Sequence, residues 1–247
     1  MTALLEVDGL VRRFRGLAAV DRLSFTVEQG RTVAIIGPNG AGKTTTFNLV
    51  SGLLAADAGT VRFRDREVTR QRAHVRCRAG MGRTFQVVQP FADLDVGENV
   101  MVGALFGDDR RPGLATAVAE AARLCDLVGL GEKIGRPVAS LTVPDRKRLE
   151  LARALATRPA LLMLDEVMEG LTPSEEREAV ALLHRVRDEG VTLLLIEHVM
   201  STVRDLSDHV IVMDYGKKLA EGTYAEISQD PKVIAAYLGS DEEDNVE

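Results

Sequence analysis

The residues from Gly37 to Thr44 could bind phosphate, because they read G-P-N-G-A-G-K-T and match the spacing G-x-x-x-x-G-K-[ST]. The three glycines allow the backbone to bend until successive N–H groups point inward at anionic oxygens. Lys43 adds a positive charge that can reach the terminal phosphates of a nucleotide, and Thr44 adds a hydroxyl for Mg²⁺. The pattern therefore predicts a loop that binds a nucleoside triphosphate together with Mg²⁺.

The predicted nucleotide-binding set extends one residue beyond the motif, because Thr45 is expected to help hold the phosphates. An apolar strand precedes the loop and a helix follows it, which is the context that the motif requires. The helix also contributes the positive end of its dipole. A chance glycine-rich turn is the alternative, and the two flanking elements disfavour it. The candidate loop residues are Gly37, Pro38, Asn39, Gly40, Ala41, Gly42, Lys43, Thr44 and Thr45.

A second group with candidate chemistry is the acidic pair that ends the run L-L-M-L-D-E. An apolar strand that ends in Asp165 places a carboxylate at the strand's C-terminal edge, where ligands bind in open α/β sheets. We expect Asp165 to join the Mg²⁺ shell and Glu166 to orient or deprotonate an attacking water. The alternative interpretation is an acidic pair that caps a helix.

The elements that must position these residues alternate between strands and helices, which predicts an α/β layer architecture. Continuous apolar runs such as T-L-L-L-I are typical of strands buried on both faces of a parallel sheet. We expect a P-loop NTPase core with a mostly parallel sheet, an antiparallel β subdomain and an inserted helical subdomain. The predicted strands are 4–7, 18–27, 32–36, 59–63, 160–164, 192–196, 209–213 and 217–221; the predicted helices are 42–50, 96–105, 115–128, 146–156, 173–189, 224–228 and 232–238.

The predicted domain organisation is one domain over residues 1–247. Within it, residues 1–92 and 159–247 form the nucleotide-binding core with its β subdomain, and residues 93–158 form the helical subdomain. The run S-D-E-E-D-N-V-E at 240–247 is a block of like charge, which predicts a disordered acidic tail.

Composition excludes several classes of protein. A hydrophobic fraction of 45% and a charged fraction of 28% are ordinary for a folded chain. The net charge of −6 disfavours general nucleic-acid binding, which relies on a basic surface. Arginines cluster between Arg62 and Arg83, but acidic residues intervene and aromatics are sparse, so we interpret this segment as a solvated surface and expect no nucleic-acid partner.

The lack of a targeting signal and the spacing of the cysteines predict a cytoplasmic protein. The start of the chain lacks a basic region followed by an apolar run, and no apolar run approaches the ~20 residues that span a bilayer. Cys77 and Cys125 have no metal-ligand spacing and are expected to be reduced thiols. If the protein works at a membrane, another subunit must hold it there.

Taken together, the motifs resemble the ATP-binding subunit of an ABC transporter over nearly the whole chain. The resemblance implies an ATPase and assigns three further residues. Gln86, in R-T-F-Q, matches the glutamine that contacts Mg²⁺ and the attacking water. His198, in L-L-L-I-E-H, matches the switch histidine at the γ-phosphate, and Phe14 matches the aromatic that stacks on adenine. The alternatives are a loop amide, a strand-end histidine and a core phenylalanine.

Within this family, three segments resemble the subunits that serve branched-chain amino-acid uptake, a subgroup that also handles amides and urea. They read D-V-G-E-N-V-M-V-G-A-L, D-E-V-M-E-G-L-T-P and D-P-K-V-I-A-A-Y-L-G. The resemblance implies peripheral attachment at the inner face of the cell membrane, where a separate permease docks between Gln86 and Val102. It also implies a second ATP-binding subunit, identical or different, and an indirect role for a solute-binding protein.

The chain departs from the family where the signature L-S-G-G-Q is expected, because residues 141–145 read L-T-V-P-D. Thr142 keeps a hydroxyl and is the signature residue expected to contact nucleotide, but Pro144 has no N–H to donate. Asp145 would place negative charge near phosphate oxygens, although proline and aspartate also suit a helix start. Thr172 stands where many members carry Asp.

These departures indicate two alternative functions. One is an ATPase in an asymmetric pair, in which the site capped by residues 141–145 hydrolyses slowly. The other is a nucleotide-dependent interaction module with weak hydrolysis.

Overall fold

The computed structural model of the protein describes residues 2–85, 89–107 and 112–238. In chain order the strands are β1 (Ala3–Phe14), β2 (Leu17–Glu28), β3 (Thr32–Ile36), β4 (Ala58–Phe63), β5 (Arg66–Glu67), β6 (Met81–Arg83), β7 (Leu161–Asp165), β8 (Thr192–Ile196), β9 (His209–Asp214) and β10 (Lys217–Gly222). The helices are α1 (Lys43–Ser51), α2 (Ala73–Arg78), α3 (Val96–Phe106), α4 (Leu114–Leu127), α5 (Val143–Ala156), α6 (Pro173–Asp188), α7 (Met200–Leu206), α8 (Tyr224–Ile227) and α9 (Pro231–Leu238).

The chain divides into two compact units. The first comprises Met1–Ala73 with Thr192–Glu247, and the second comprises His74–Val191. Two short 3₁₀ turns, Gly131–Lys133 and Val138–Ser140, lie in the second unit.

The first unit contains an antiparallel sheet in the order β2-β1-β4-β5. Strand β1 pairs with β2 through contacts such as Leu5↔Val27 and with β4 through Leu5↔Phe63. Buried and more exposed side chains alternate from Leu5 to Asp8 of β1, while Leu4 with Leu5 and Leu10 with Val11 are buried at successive positions. This alternation is the pattern expected of a half-buried antiparallel sheet.

The first unit also contains the parallel strands that support the phosphate-binding loop. Strand β3 pairs in parallel with β8 (Val33↔Leu194) and with β9 (Ile35↔Ile211), and β10 pairs antiparallel with β9. Every residue of β3 and β8 is buried, as expected for strands covered on both faces. Since β3 ends at Ile36, the loop starts from a rigid, fully buried strand.

The second unit contains the parallel pair β6–β7 and the helices α3 to α6. Strands β6 and β7 pair in the register Met81↔Leu161 and Arg83↔Met163, and β7 is buried along its whole length. Helices α3, α4 and α5 pack against one another around buried side chains such as Val100, Leu124 and Leu149. The predicted α/β fold class, with parallel and antiparallel strands and a group of helices, is confirmed.

Several elements were not predicted from the pattern of residues. Strands β5 and β6 and helix α2 lie in the arginine-rich segment and are too short to show a period. Helix α7 was also missed, and β1 continues to Phe14 although Gly9 reads as a break. Gly9 has φ +57 and lies where the register shifts between Val7 and Leu10, so it marks a bulge rather than the end of the strand.

Among the described residues, no helix combines the length and apolar character that crossing a bilayer requires. The predicted disordered tail at 240–247 lies outside the described residues.

Candidate functional site

The phosphate-loop residues form a tight connection between β3 and α1. Gly37 has φ +151, and a Cβ there would lie 2.1 Å from the carbonyl oxygen of Met213. Gly42 has φ +97, and a Cβ there would lie 2.2 Å from the carbonyl oxygen of Ala19. Only glycine meets both the steric and the torsional requirement at these positions. The loop therefore packs its backbone directly against neighbouring main chain.

Main-chain hydrogen bonds brace this loop from the side. The N–H of Ala41 donates to the carbonyl of Pro38 at 3.2 Å, and the N–H of Gly216 donates to the carbonyl of Ala41 at 3.0 Å. The carbonyl of Gly216 in turn accepts from the N–H of Asp21 at 2.8 Å. The hairpin turn between β9 and β10 thus ties the loop to β2. Such bracing holds backbone donors in place before a ligand arrives.

The Lys43 ammonium lies within the loop. Its side chain is 7% exposed, and Nζ donates to the carbonyls of Gly37 at 2.7 Å and of Pro38 at 2.9 Å. Carbonyl oxygens are partial negative charges that stabilise a buried cation. A nucleotide phosphate would offer the same ammonium full negative charges, so the structure is suited to an anionic ligand.

Helix α1 begins in a way that favours an anion. Its N-cap is Gly42, no side chain caps it, and its first turn carries no acidic residue. The first N–H groups of a helix have no partner within the helix and carry partial positive charge. Thr44 is exposed and Thr45 is half-buried, so the Thr44 hydroxyl is accessible at this end. The residues and the helix end together fit a phosphate group.

Asp165 ends β7 in the second unit and is 2% exposed. Its Oδ2 accepts from Arg83 Nη2 at 2.8 Å, and its main-chain N–H donates to Thr84 Oγ1 at 3.3 Å. Burial lowers the pKa of the Arg83 guanidinium, and the nearby Asp165 carboxylate acts in the opposite direction. Motif reasoning missed Arg83, although it lies in the R-T-F-Q segment that points to Gln86.

Glu166 follows β7 and occupies a strained backbone position. Its φ is +51, which is uncommon for a residue with a side chain. The residue is half-buried, and its carbonyl accepts from the N–H of Glu169 at 3.3 Å, which closes a turn. Strained backbone persists only where surrounding contacts hold it, and it is common at functional sites.

Phe14 and His198 are both exposed in the first unit. Phe14 lies at the end of β1 and is 45% exposed, so it is not a core residue. The Arg12 guanidinium carbon lies 4.9 Å from the centroid of the Phe14 ring. His198 is exposed and follows the end of β8, directly after the buried Glu197. Gln86 lies outside the described residues.

The altered signature forms the start of α5. Thr142 is the N-cap, and its Oγ1 accepts from the N–H of Asp145 at 3.3 Å. Pro144 lies in the first turn, where its missing N–H removes no intrahelical bond. The interpretation of Pro144 and Asp145 as helix-opening residues is therefore confirmed, and Thr142 supplies the N-cap. Their effect on a phosphate stays a prediction.

Asp145 does not present a bare carboxylate. The residue is 4% exposed, and its Oδ2 accepts from Lys133 Nζ at 2.6 Å. Burial acts to raise the pKa of Asp145, but hydrogen bonds from Lys133 and Thr142 outweigh it and leave the pKa below its ordinary value. The charge predicted to repel phosphate is thus neutralised within the same unit.

The donor set fits Mg²⁺ in kind. Each unit contributes a candidate ligand with a hard oxygen donor, which Mg²⁺ prefers: the Thr44 hydroxyl in the first unit and the Asp165 carboxylate in the second. Among the residues that the structure describes, no cluster of three or more His, Cys, Asp or Glu side chains could hold a metal ion by itself.

Comparisons with known proteins give a consistent result. The model of the family described as ABC transporter matches residues 20–169, and that of the branched-chain amino acid ATP-binding cassette transporter matches residues 217–243. The chain is 40% identical to the high-affinity branched-chain amino acid transport ATP-binding protein BraF of Pseudomonas aeruginosa, over 96% of this chain and 98% of that protein. It is also 39% identical to LivG of Escherichia coli K12, which carries the same description, over 96% of this chain and 98% of that protein.

Solved structures agree in fold. The chain is similar to the ADP conformation of an ATP-binding cassette of an ABC transporter, with a TM-score of 0.88 and 30% sequence identity. The superposition covers 97% of this chain and 100% of that chain. A nucleotide-free ATP-binding cassette gives a TM-score of 0.86 at 28% identity, and covers 96% and 99%.

Proposed function

The chain belongs to the ATP-binding subunits of ABC transporters, and from this premise we propose that it binds and hydrolyses ATP to drive solute import through a separate membrane permease. The observation that carries the proposal is the phosphate loop, in which a buried lysine lies among carbonyls beside an uncapped helix start. A buried cation and oriented N–H groups form a prepared site for the terminal phosphates.

We propose distinct roles for the residues around the phosphates. The backbone of Gly37 to Thr45 holds the phosphates, and Lys43 shifts from loop carbonyls to phosphate oxygens. Thr44 and Asp165 hold Mg²⁺, which when bound neutralises charge on the phosphates. Because the Arg83 guanidinium already holds one Asp165 oxygen, the orientation of that carboxylate is set before the metal binds.

The remaining catalytic roles follow the family. Glu166 orients or deprotonates the attacking water, and its fixed turn supports a constant position for the carboxylate. His198, exposed at the end of β8, contacts the γ-phosphate, and Gln86 senses Mg²⁺ and the water. Phe14 stacks on adenine, and the Arg12 guanidinium on its other side would support stacking through a cation–π contact.

The proposed partners are a permease, a second ATP-binding subunit and, indirectly, a solute-binding protein. We place the permease contact between Gln86 and Val102, at the inner face of the membrane. Phe91 within this range and Phe85 directly before it are each 46% exposed, and we include both aromatic side chains in the proposed contact surface. The solute proposed is a branched-chain or related amino acid, as the descriptions of the relatives state for those proteins.

A second candidate function is an interaction module that binds ATP with weak hydrolysis. The altered signature favours it, because Pro144 cannot donate an N–H and Val143, 60% exposed, adds bulk where glycine is usual. The presence of Asp165, Glu166 and His198 favours the ATPase instead.

The experiment that tests the proposal measures Mg-ATP affinity and turnover of the transporter assembled on the full chain. Lys43→Ala should weaken Mg-ATP binding at least tenfold, since it removes a charge from the phosphates. Glu166→Gln should keep ATP binding and abolish most turnover. A wild-type chain without Mg-ATP affinity would overturn the proposal, and a wild-type complex that binds ATP without turnover would favour the interaction module.

A further inference from the structure

We propose that Lys147 is a positioning residue that fixes the turn carrying Glu166 and so couples helix α5 to the catalytic base. The inference rests on the proposed function for the role of Glu166, but its structural part stands on contacts within the second unit alone. Neither the phosphate motif nor the family resemblance assigns a role to Lys147.

The contacts converge on one ammonium. Lys147 Nζ donates to the main-chain carbonyls of Glu166 and Val167, each at 3.4 Å, and to that of Glu169. A lysine ammonium has three N–H donors, and three carbonyls of a single turn receive them. The Lys147 side chain is half-buried, and its bonds to Glu166 and Val167 are partly buried, while the bond to Glu169 lies at the surface. One side chain therefore binds the whole turn that follows β7.

The turn needs such a contact for a physical reason. Glu166 adopts φ +51, a conformation that is strained for a residue with a side chain. The partially negative oxygens of neighbouring carbonyls repel one another, and a cation placed between them offsets this repulsion. Met168, 1% exposed, anchors the middle of the same turn in the core. The ammonium and the anchor together define the direction in which the Glu166 side chain leaves the backbone.

The position of Lys147 on α5 lets this contact couple the signature segment to the turn after β7. Helix α5 starts at Val143, directly after Thr142 in the altered signature, so Lys147 lies little more than one turn into the helix. A shift of the helix start would therefore pull on the carbonyls of the turn. The geometry thus links the signature segment to the turn that carries Glu166.

The neighbouring residue Arg148 supplies a matched control. It lies on the same helix, and its guanidinium pairs with Glu178 at 2.7 Å instead of with the turn. Replacing either residue by methionine keeps an apolar stem and removes one charge. Any general cost of removing a cation from α5 should appear in both variants, while loss of the turn contact should appear only in Lys147→Met.

The first measurement is backbone hydrogen exchange of the full chain without nucleotide. Lys147→Met should speed exchange at residues 166–170 at least tenfold, while Lys147→Arg, which keeps donors for the carbonyls, and Arg148→Met should leave exchange close to wild type. Unchanged exchange in a folded Lys147→Met variant would overturn the proposal. Because this readout needs no ATP, it holds even if the proposed function fails.

The second measurement is turnover of the transporter assembled on the full chain. Lys147→Met should lower kcat roughly 10- to 100-fold, the effect of a misplaced reacting group, with Mg-ATP affinity within about twofold of wild type. In a Glu166→Gln background the same change should lower the residual turnover no further, because Lys147 acts through Glu166. If Lys147→Met lowered the turnover of the Glu166→Gln complex by the same factor as that of the wild-type complex, the positioning role would be refuted. A wild-type complex without turnover would count against the ATPase, and the exchange result would still decide whether Lys147 fixes the turn.

Discussion

Two buried acidic side chains in the second unit pair with basic residues distant in the sequence. Asp165 pairs with Arg83 at 2.8 Å, and Asp145 pairs with Lys133 at 2.6 Å. A charge removed from water is costly unless a partner compensates it, so the loss of one partner costs more than the pair contributes. These pairs therefore matter most when one member is missing.

The first prediction concerns Arg83, which is 8% exposed in its side chain. Arg83→Met should destabilise the protein by about 3 kcal/mol, because it removes the cation beside a buried carboxylate. Urea denaturation followed by circular dichroism measures the change. Arg123→Met is the control. Arg123 lies 3.0 Å from Glu120, but the arginine side chain is 51% exposed. The free energy of unfolding should therefore fall by less than about 1 kcal/mol. Equal effects in the two variants would contradict this ranking.

The second prediction concerns the pH dependence of the Lys133–Asp145 pair. The pKa of Asp145 lies below its ordinary value of 3.8, so the pair stabilises the folded state above about pH 4 and loses that effect as acid protonates the carboxylate. Lys133→Met should cost roughly 1–3 kcal/mol at pH 7. The difference from wild type should be smaller at pH 3, because protonation of the carboxylate sets in below about pH 4. Denaturation midpoints at both pH values measure it, and a cost that does not depend on pH would exclude the charge as its cause.

At the scale of the element, the phosphate loop depends on close approach between backbones. Strand β3 is buried throughout, and the hairpin turn at Gly216 donates to the loop carbonyl of Ala41 at 3.0 Å. Backbone segments thus contact the loop on both sides, and glycine is needed where two backbone segments approach most closely. This requirement separates two glycines that look equivalent in the motif.

The third prediction compares those two glycines. Gly37→Ala should destabilise the loop strongly, since the new Cβ would lie 2.1 Å from the Met213 carbonyl oxygen. Gly40→Ala has φ +79 but meets no atom within 4 Å, so only the backbone conformation is penalised, by about 1–2 kcal/mol. Thermal denaturation of the two variants measures the difference. A Gly37→Ala protein no less stable than Gly40→Ala would show that the loop relaxes easily.

At the scale of the whole molecule, the altered signature bears on how the subunit works in a pair. Thr142 caps α5 and Asp145 is neutralised by Lys133, so the segment opens a helix with little charge left to contact phosphate. The chain keeps its own phosphate loop and acidic pair. This combination favours an asymmetric pair, in which a partner with an intact signature caps the nucleotide of this chain.

The fourth prediction follows from that asymmetry. The isolated chain should hydrolyse ATP slowly, and a second ATP-binding subunit that carries L-S-G-G-Q should raise turnover at least tenfold. Thr142→Ala should cost about 1 kcal/mol of stability through loss of the N-cap and change turnover of the pair little. Steady-state phosphate release and denaturation measure the two effects. Brisk turnover by the isolated chain that disappears in Thr142→Ala would contradict the asymmetry.

Local patterns in the sequence were sufficient for the order of most elements and for the phosphate loop. The strand before Gly37 and the helix after it are encoded by neighbouring residues, since period and glycine placement act over a few positions. The same reasoning missed α7 and the short elements around Arg83, where no period can develop. It placed Asp165 and Glu166 at the end of a buried strand, as the structure shows.

The tertiary structure alone decided which charges meet. Arg83 lies 82 positions from Asp165, Lys133 lies 12 from Asp145, and Lys147 lies 19 from Glu166. No local rule connects residues at such separations, because their contact depends on how helices and strands pack. The sequence identified the candidate nucleotide-binding groups, while packing determined which side chains hold those groups in position.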